Sequence, residues 1–149
     1  MWFEYSEDAK FFKKLLCGKK DSLEGYKSFF DSRLPKLKRI EFNRIRNKVF
    51  DELVNRYGNE CMLKLNGICD PKSGFVLDHL IPLSSNKLNK TLRKLKPTRG
   101  KKVLSQSFGS NHINNLVIAC RKCNSNKKHR FMDKELFRYI IKLKITKNG

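Results

Sequence analysis

Four of the five cysteines form two pairs, Cys61 with Cys69 and Cys120 with Cys123, and the pairs bracket two short apolar stretches, GFVLDHLIP and NNLVIAC. The odd total argues against a complete disulfide framework, and the Cys-x-x-Cys spacing of Cys120 and Cys123 in a reducing compartment points to a metal. Four thiolates in a tetrahedron fix zinc, and in a small domain such a site supplies much of the folding free energy. One ion held this way would staple the two strand-like stretches into a single unit. The segment MLKLNGI between Cys61 and Cys69 is longer than the usual spacing of paired ligands. That length leaves a second reading open, with Cys61 and Cys69 as small buried apolar residues and Cys120 and Cys123 free or redox-active. In either case Cys17 is the spare. A four-cysteine site keeps no open coordination position, so any catalysis has to be sought elsewhere in the chain.

A length of 149 residues with 39% apolar composition supports one modest core and one functional unit. Within it, residues 1–57 read as a basic helical extension, and residues 58–149 as the cysteine-bearing domain with a basic insertion at 84–110. The 34 Lys and Arg against 14 Asp and Glu leave a formal charge of +20. Such a charge disfavours compaction unless a polyanion absorbs the field, and nucleic acid is the natural partner. No apolar run approaches the roughly 18 residues of a spanning helix, so no membrane partner is expected. The start MWFEYSEDAK carries acids where a signal peptide carries bases, which places the chain in the cytoplasm.

Ser6 is a candidate cap for a first helix running to about Leu16 and stopped by Gly18, and Asp21 or Ser22 for the start of a shorter one. Between Pro35 and Tyr57 the residues Leu37, Ile40, Ile45, Val49, Leu53 and Tyr57 recur at helical spacing, with Gly58 placed to end the helix. Its other faces carry Lys36, Lys38, Arg39, Arg44, Arg46 and Lys48, either lying along a phosphate backbone or merely solvated. GFVLDHLIP and NNLVIAC read as short strands. The insertion contains Lys87, Lys90, Arg93, Lys94, Lys96, Arg99, Lys101 and Lys102 and no acid. Leu88, Leu92 and Leu95 can pin a short helix there, with Pro97 and Gly100 marking a loop after it. Asp133 is placed to cap a last helix whose Leu136, Phe137, Ile140, Ile141 and Leu143 pack on the core.

Asp78 and His79 stand side by side inside the first strand-like stretch. Strand alternation sends neighbours to opposite faces, unless a bend at the strand end brings both toward one cleft. Downstream, INNLVIACRKCNSNKKHR carries Asn115, Asn124, Lys127 and Lys128 in a strand-to-helix context, with Asn124 and Lys128 sharing a helix face. These residues resemble the HNH endonuclease family, whose pattern is an Asp-His or His-His pair ending one strand, an Asn before an apolar second strand, and an Asn or His opening a helix. Asp78-His79, Asn115 and Asn124 match the three parts, over about residues 59–130. Many members also carry two cysteine pairs, the second as Cys-x-x-Cys-Asn, which Cys120, Cys123 and Asn124 reproduce.

The resemblance implies an α+β chain with a ββα-metal core and a zinc staple, preceded by a helical region and followed by a C-terminal helix. It implies that His79 is the general base, that Asp78 and Asn124 hold a catalytic Mg²⁺ or Mn²⁺, and that Asn115 braces the loop orienting His79. Neutral imidazole and hard oxygen donors suit those tasks. Asn115 also reads as a plain turn residue before a strand. Lys127 matches the Lys of the family's CNxxK form and could touch the scissile phosphate. Lys128 occupies the place where some branches carry a histidine ligand, and a protonated lysine cannot ligate metal. His112 and His129 match no family role and read as surface residues. Expected contacts to double-stranded DNA come from Arg44, Lys48, Lys94, Lys101, Lys102, Arg121 and Lys128. The competing reading is a zinc-stabilised nucleic-acid-binding protein without catalysis; a ribonuclease or toxin built on the same unit lacks an obvious aromatic platform for single-stranded RNA.

Overall fold

A computed structural model describes residues 3–17, 22–127, 131 and 133–148, with side chains as far as Lys144. Gly18, Asp21, Lys128 and His129, each singled out in the sequence, lie outside the described residues. The architecture is mixed α+β with one small sheet. Its elements are α1 (Ser6–Leu16), α2 (Pro35–Tyr57), β1 (Phe75–His79), α3 (Lys87–Thr91), β2 (Leu116–Cys120), α4 (Arg121–Lys127) and α5 (Lys134–Asn148), with short 3-10 turns at Leu23–Phe29, Pro71–Ser73 and Ile113–Asn115. No described helix is long and apolar enough to cross a membrane.

β1 and β2 pair antiparallel, Phe75 opposite Cys120 and His79 opposite Leu116. Alternation then gives the sheet two different faces. One face packs Leu77, Leu116 and Ile118 against Val49, Leu53 and Tyr57 of α2. Val117 and Ala119 join the larger core on the other side, with Phe12, Phe30, Phe108, Phe137 and Ile140. Phe12 is its centre, with ring centroids 4.9 Å from Phe108 and 5.0 Å from Phe30. Such edge-to-face pairs add to the area that the rings bury.

The ends of the elements follow local chemistry. α2 begins with Pro35 at its first position and ends at Gly58, whose φ of 85° suits a residue without Cβ. Asp133 caps α5 by accepting from the amides of Glu135 and Leu136 at 2.9 and 3.2 Å. Ser6 differs from expectation. It is the first helical residue of α1, and the cap position is held by Tyr5, whose side chain makes no capping bond. The segment after Ser22 forms a kinked 3-10 turn instead of an α-helix.

Lys38, expected on a basic outer face, and Lys144 are both buried. On α2 the inward stripe starts at Lys38, which is wholly buried, while Leu37 and Ile40 are each 52% exposed. The Lys38 ammonium replaces water with the carbonyls of Asp31 and Gly109, to which Nζ donates at 2.7 and 2.6 Å. Burial pulls its pKa down to about 8. Lys144 of α5 donates to the carbonyls of Ile113 and Leu116 at 2.9 and 2.6 Å, and burial pulls it down to about 7. Together they clamp the segment 109–116 at both ends. Gly109 has no room for a side chain, because an added Cβ would lie 1.9 Å from the carbonyl oxygen of Ile81.

Arg93 is also turned inward. It pairs with Asp8 at 2.9 Å and Glu7 at 3.1 Å, fastening the insertion to α1. Leu88 is buried, whereas Leu92 and Leu95 stay more than two-fifths exposed.

The titration of Lys144 sets a pH signature. An unfolded lysine keeps its proton to about pH 10.4, so between about 7 and 10 the unfolded chain binds more protons than the folded one. Stability due to this group therefore rises with pH across that window. Denaturant unfolding measured from pH 7 to 10 should show a shallower rise for Lys144→Met than for the parent chain, by up to about 1.4 kcal/mol per pH unit. Equal slopes would show that Lys144 keeps its proton in the fold.

Candidate metal centre and the Asp78 and His79 sites

The thiols of Cys61, Cys69, Cys120 and Cys123 converge, with all four sulfurs within 4.8 Å of one another. Zinc–sulfur bonds of about 2.3 Å in a tetrahedron set the sulfurs about 3.8 Å apart. The 3.9 Å between Cys120 Sγ and Cys69 Sγ fits that edge. The cluster could hold a metal such as zinc. Cys17 lies outside it, buried among the core residues around Phe12.

Local folding explains why the long Cys61 to Cys69 spacing still closes. The Met62 amide donates to the Ile118 carbonyl at 2.8 Å, which ties the first ligand segment to β2. Lys64 adopts a left-handed φ of 45°, and its amide turns back to Cys61 Sγ at 3.4 Å. Leu63 tucks into the core, and the Cys69 amide returns to the Leu65 carbonyl at 2.9 Å. The extra residues form a folded turn. Cys120 ends β2 and Cys123 lies in the first turn of α4, so the other pair is fixed by the strand-to-helix junction. Burial opposes ionisation of Cys120, but amides of Cys123 and Asp70 aimed at its sulfur outweigh this and lower its pKa to about 6. Burial pushes the Cys123 and Cys69 thiols up. A bound cation would offset that cost.

Asp78 and His79 follow strand alternation and face opposite ways. Asp78 is 6% exposed and looks toward α4. Lys127 Nζ donates to its Oδ1 at 3.4 Å and lies 3.3 Å from Oδ2, which accepts no hydrogen bond although it is buried. Burial pushes the Asp78 carboxyl up to about 6 against the opposing pull of Lys127. His79 turns toward α2 instead. Its ring centroid is 4.7 Å from that of Phe42, and its Nε2 is 2.9 Å from Asn111 Oδ1. Burial lowers its pKa to about 4, aided by the charges of Lys127 and Lys38 and opposed by Asn111, so the ring is neutral at pH 7.

Asn124 is half-buried on α4, one turn before Lys127, and residues three apart share a helix face. It therefore shares a face of α4 with Lys127. Asp78 Oδ2, buried without a hydrogen bond, and the Asn124 carboxamide are oxygen donors of the kind that a hard divalent cation takes. Asn115 is wholly buried; its side chain accepts from the Ile81 amide at 2.8 Å and donates to the carbonyls of Ile81 and Ser110 at 3.0 and 2.8 Å. It pins the chain leaving β1, just after His79.

Lys127 departs from expectation. At 4% exposure it points inward and donates to the His79 carbonyl at 2.8 Å as well as to Asp78, because the buried carboxylate draws its charge. Its amine does not face solvent, where a phosphate would approach. The cations Arg44, Lys48, Lys94, Lys101, Lys102 and Arg121 are all exposed, and Arg44 and Lys48 lie one turn apart on α2. His112 is exposed, and its Nδ1 accepts the Asn114 amide at 3.1 Å. Two described grooves, the larger about 640 Å³, are lined by residues of α1, α3 and α5 and include neither Asp78, His79 nor Asn124. Asn111 was not marked by the sequence reading. The only signal was the density of asparagines in SNHINN, which does not say which of them meets a histidine.

Purified protein should contain about one zinc ion per chain, and removing it with a strong chelator should abolish the dispersed amide spectrum of the β1, β2 and α4 unit. A folded, soluble, metal-free chain with an unchanged spectrum would contradict the staple. Among known protein families, curated proteins and solved structures, the chain matches none.

Proposed function

We propose that the chain is a metal-dependent DNA endonuclease of the HNH type, with a structural zinc in the four-cysteine cluster. The observation that carries the reading is the Asp78 carboxylate at the end of β1, buried, with Oδ2 free of hydrogen bonds, against the helix that bears Asn124. Burying a carboxylate whose one cationic partner among the described residues is Lys127 is costly for a protein that only needs to fold. A cation site gives that cost a use.

In this reading Asp78 and Asn124 would hold one Mg²⁺ or Mn²⁺. When bound, the ion would supply positive charge that stabilises the reacting phosphate. The residues of the chain do the rest. His79, neutral at pH 7, takes the proton of the attacking water. Asn115 fixes the backbone immediately after it through three hydrogen bonds to Ile81 and Ser110. Lys127, anchored on the His79 carbonyl, keeps the end of β1 against α4. Because Asp78 and His79 face opposite sides of the strand, the phosphate would have to lie across the strand end to meet both. The exposed cations of α2 and the insertion, with the net charge of +20, hold the duplex backbone. Hydrolysis leaves a 5′ phosphate and a 3′ hydroxyl.

A second reading is favoured by the partners that both titratable groups have inside the fold, the Lys127 ammonium 3.3 Å from Asp78 and the Asn111 amide on His79. It is a zinc-stabilised nucleic-acid-binding protein without catalysis. One assay separates the two. Supercoiled plasmid incubated with the zinc-loaded protein and Mg²⁺ or Mn²⁺ should be nicked or linearised, with no cutting in EDTA and a loss of roughly 10²- to 10⁴-fold in His79→Ala. Tight binding with no cutting under either metal would favour the binding protein, and full cutting by His79→Ala would remove the proposed base.

A further inference from the structure

We infer that Asn111 is a positioning residue that fixes His79 as the tautomer protonated on Nε2, leaving Nδ1 as the nitrogen able to accept a proton. The groups that face the Asn111 amide nitrogen can only accept hydrogen bonds. Asn111 is 6% exposed, and the nitrogen of its amide lies 2.8 Å from the Lys38 carbonyl and 3.0 Å from Glu41 Oε1. A backbone carbonyl and a carboxylate accept and do not donate, so the amide has to turn its NH₂ toward them. Glu41 stays ionised because Arg33 donates to it at 2.9 Å. The amide oxygen is thereby left facing His79 Nε2 at 2.9 Å. That oxygen also only accepts, so Nε2 carries the hydrogen. In a neutral imidazole the lone pair then belongs to Nδ1.

The sense of this chain is set far from the ring. Glu41 and the Lys38 carbonyl belong to α2, and Lys38 is itself buried with its ammonium on Gly109, two residues before Asn111. Phe42 of the same helix packs on the imidazole at 4.7 Å between centroids and limits its rotation. The α2 helix thus orients His79 although it lies outside the sheet and α4. The consequence for catalysis rests on the nuclease reading, in which the attacking water has to lie at Nδ1; the tautomer itself does not.

The test is the tautomer, read from ¹⁵N chemical shifts of the histidine rings in zinc-loaded full-length protein at neutral pH, with the His79 signals assigned by their loss in His79→Gln. The wild-type ring should show a pyrrole-like Nε2 and a pyridine-like Nδ1. In Asn111→Ala the two tautomers should interconvert, and kcat for plasmid cleavage should fall roughly 10- to 100-fold with KM unchanged. A proton on Nδ1 in the wild-type ring overturns the proposal, and this spectrum needs no variant to fold. Unchanged ring shifts in folded Asn111→Ala also overturn it. Wild-type protein with the Nε2–H tautomer but no cleavage under any metal would sink the nuclease reading and leave the positioning by Asn111 standing.

Discussion

Four sulfurs within 4.8 Å of one another draw together pieces of chain that are distant in sequence, and most of the site geometry follows from that closure. Cys120 ends β2 and Cys123 begins α4, so gathering them sets the angle at which the helix leaves the sheet. The Cys61 to Cys69 turn is pinned to the same strand through Met62 and Ile118. With β2 fixed, its pairing with β1 puts Asp78 opposite Val117 and His79 opposite Leu116. A small sheet of two strands is marginal alone, and it gains its rigidity from α2, α4 and the cluster around it.

A second layer of restraint comes from buried charge. Lys38 and Lys144 reach from helices on either side of the β unit and donate to the carbonyls of Gly109, Ile113 and Leu116. Between those points lie Asn111, which meets the His79 ring, and Asn115, which holds the backbone after it. Each lysine does what an ordered water would do in a looser fold, at the expense of desolvating an amine. The helices outside the β unit therefore act on the site through main-chain carbonyls.

What was legible in the sequence was whatever depends on local spacing. Pro35 and Gly58 mark the ends of α2 because both act through their own backbone, and the two strands stood out as short apolar runs that lead into polar residues. The cysteine cluster was legible despite its long first spacing. What escaped were pairings decided by distant chain. Lys38 sits in a run of bases that reads as a solvated face, and only the carbonyls of Asp31 and Gly109 draw it inward, which turns Leu37 and Ile40 out. Arg93 belongs to a cationic insertion, yet its partner is Asp8 on the first helix. Lys127 carries a motif position, and its inward turn depends on the burial of Asp78 and on the His79 carbonyl beside it. Asn111 could not be told from Asn114 without knowing which one reaches the ring.

The claim at the centre of this account is that Asp78 of β1 and Asn124 of α4 share one divalent ion. Titrating zinc-loaded protein with Mn²⁺ while following side-chain and amide resonances reads this directly, because the paramagnetic ion broadens what it touches. The account predicts saturable broadening centred on Asp78 and the Asn124 carboxamide, lost in Asp78→Asn. Broadening centred elsewhere, or unchanged by that substitution, would contradict it.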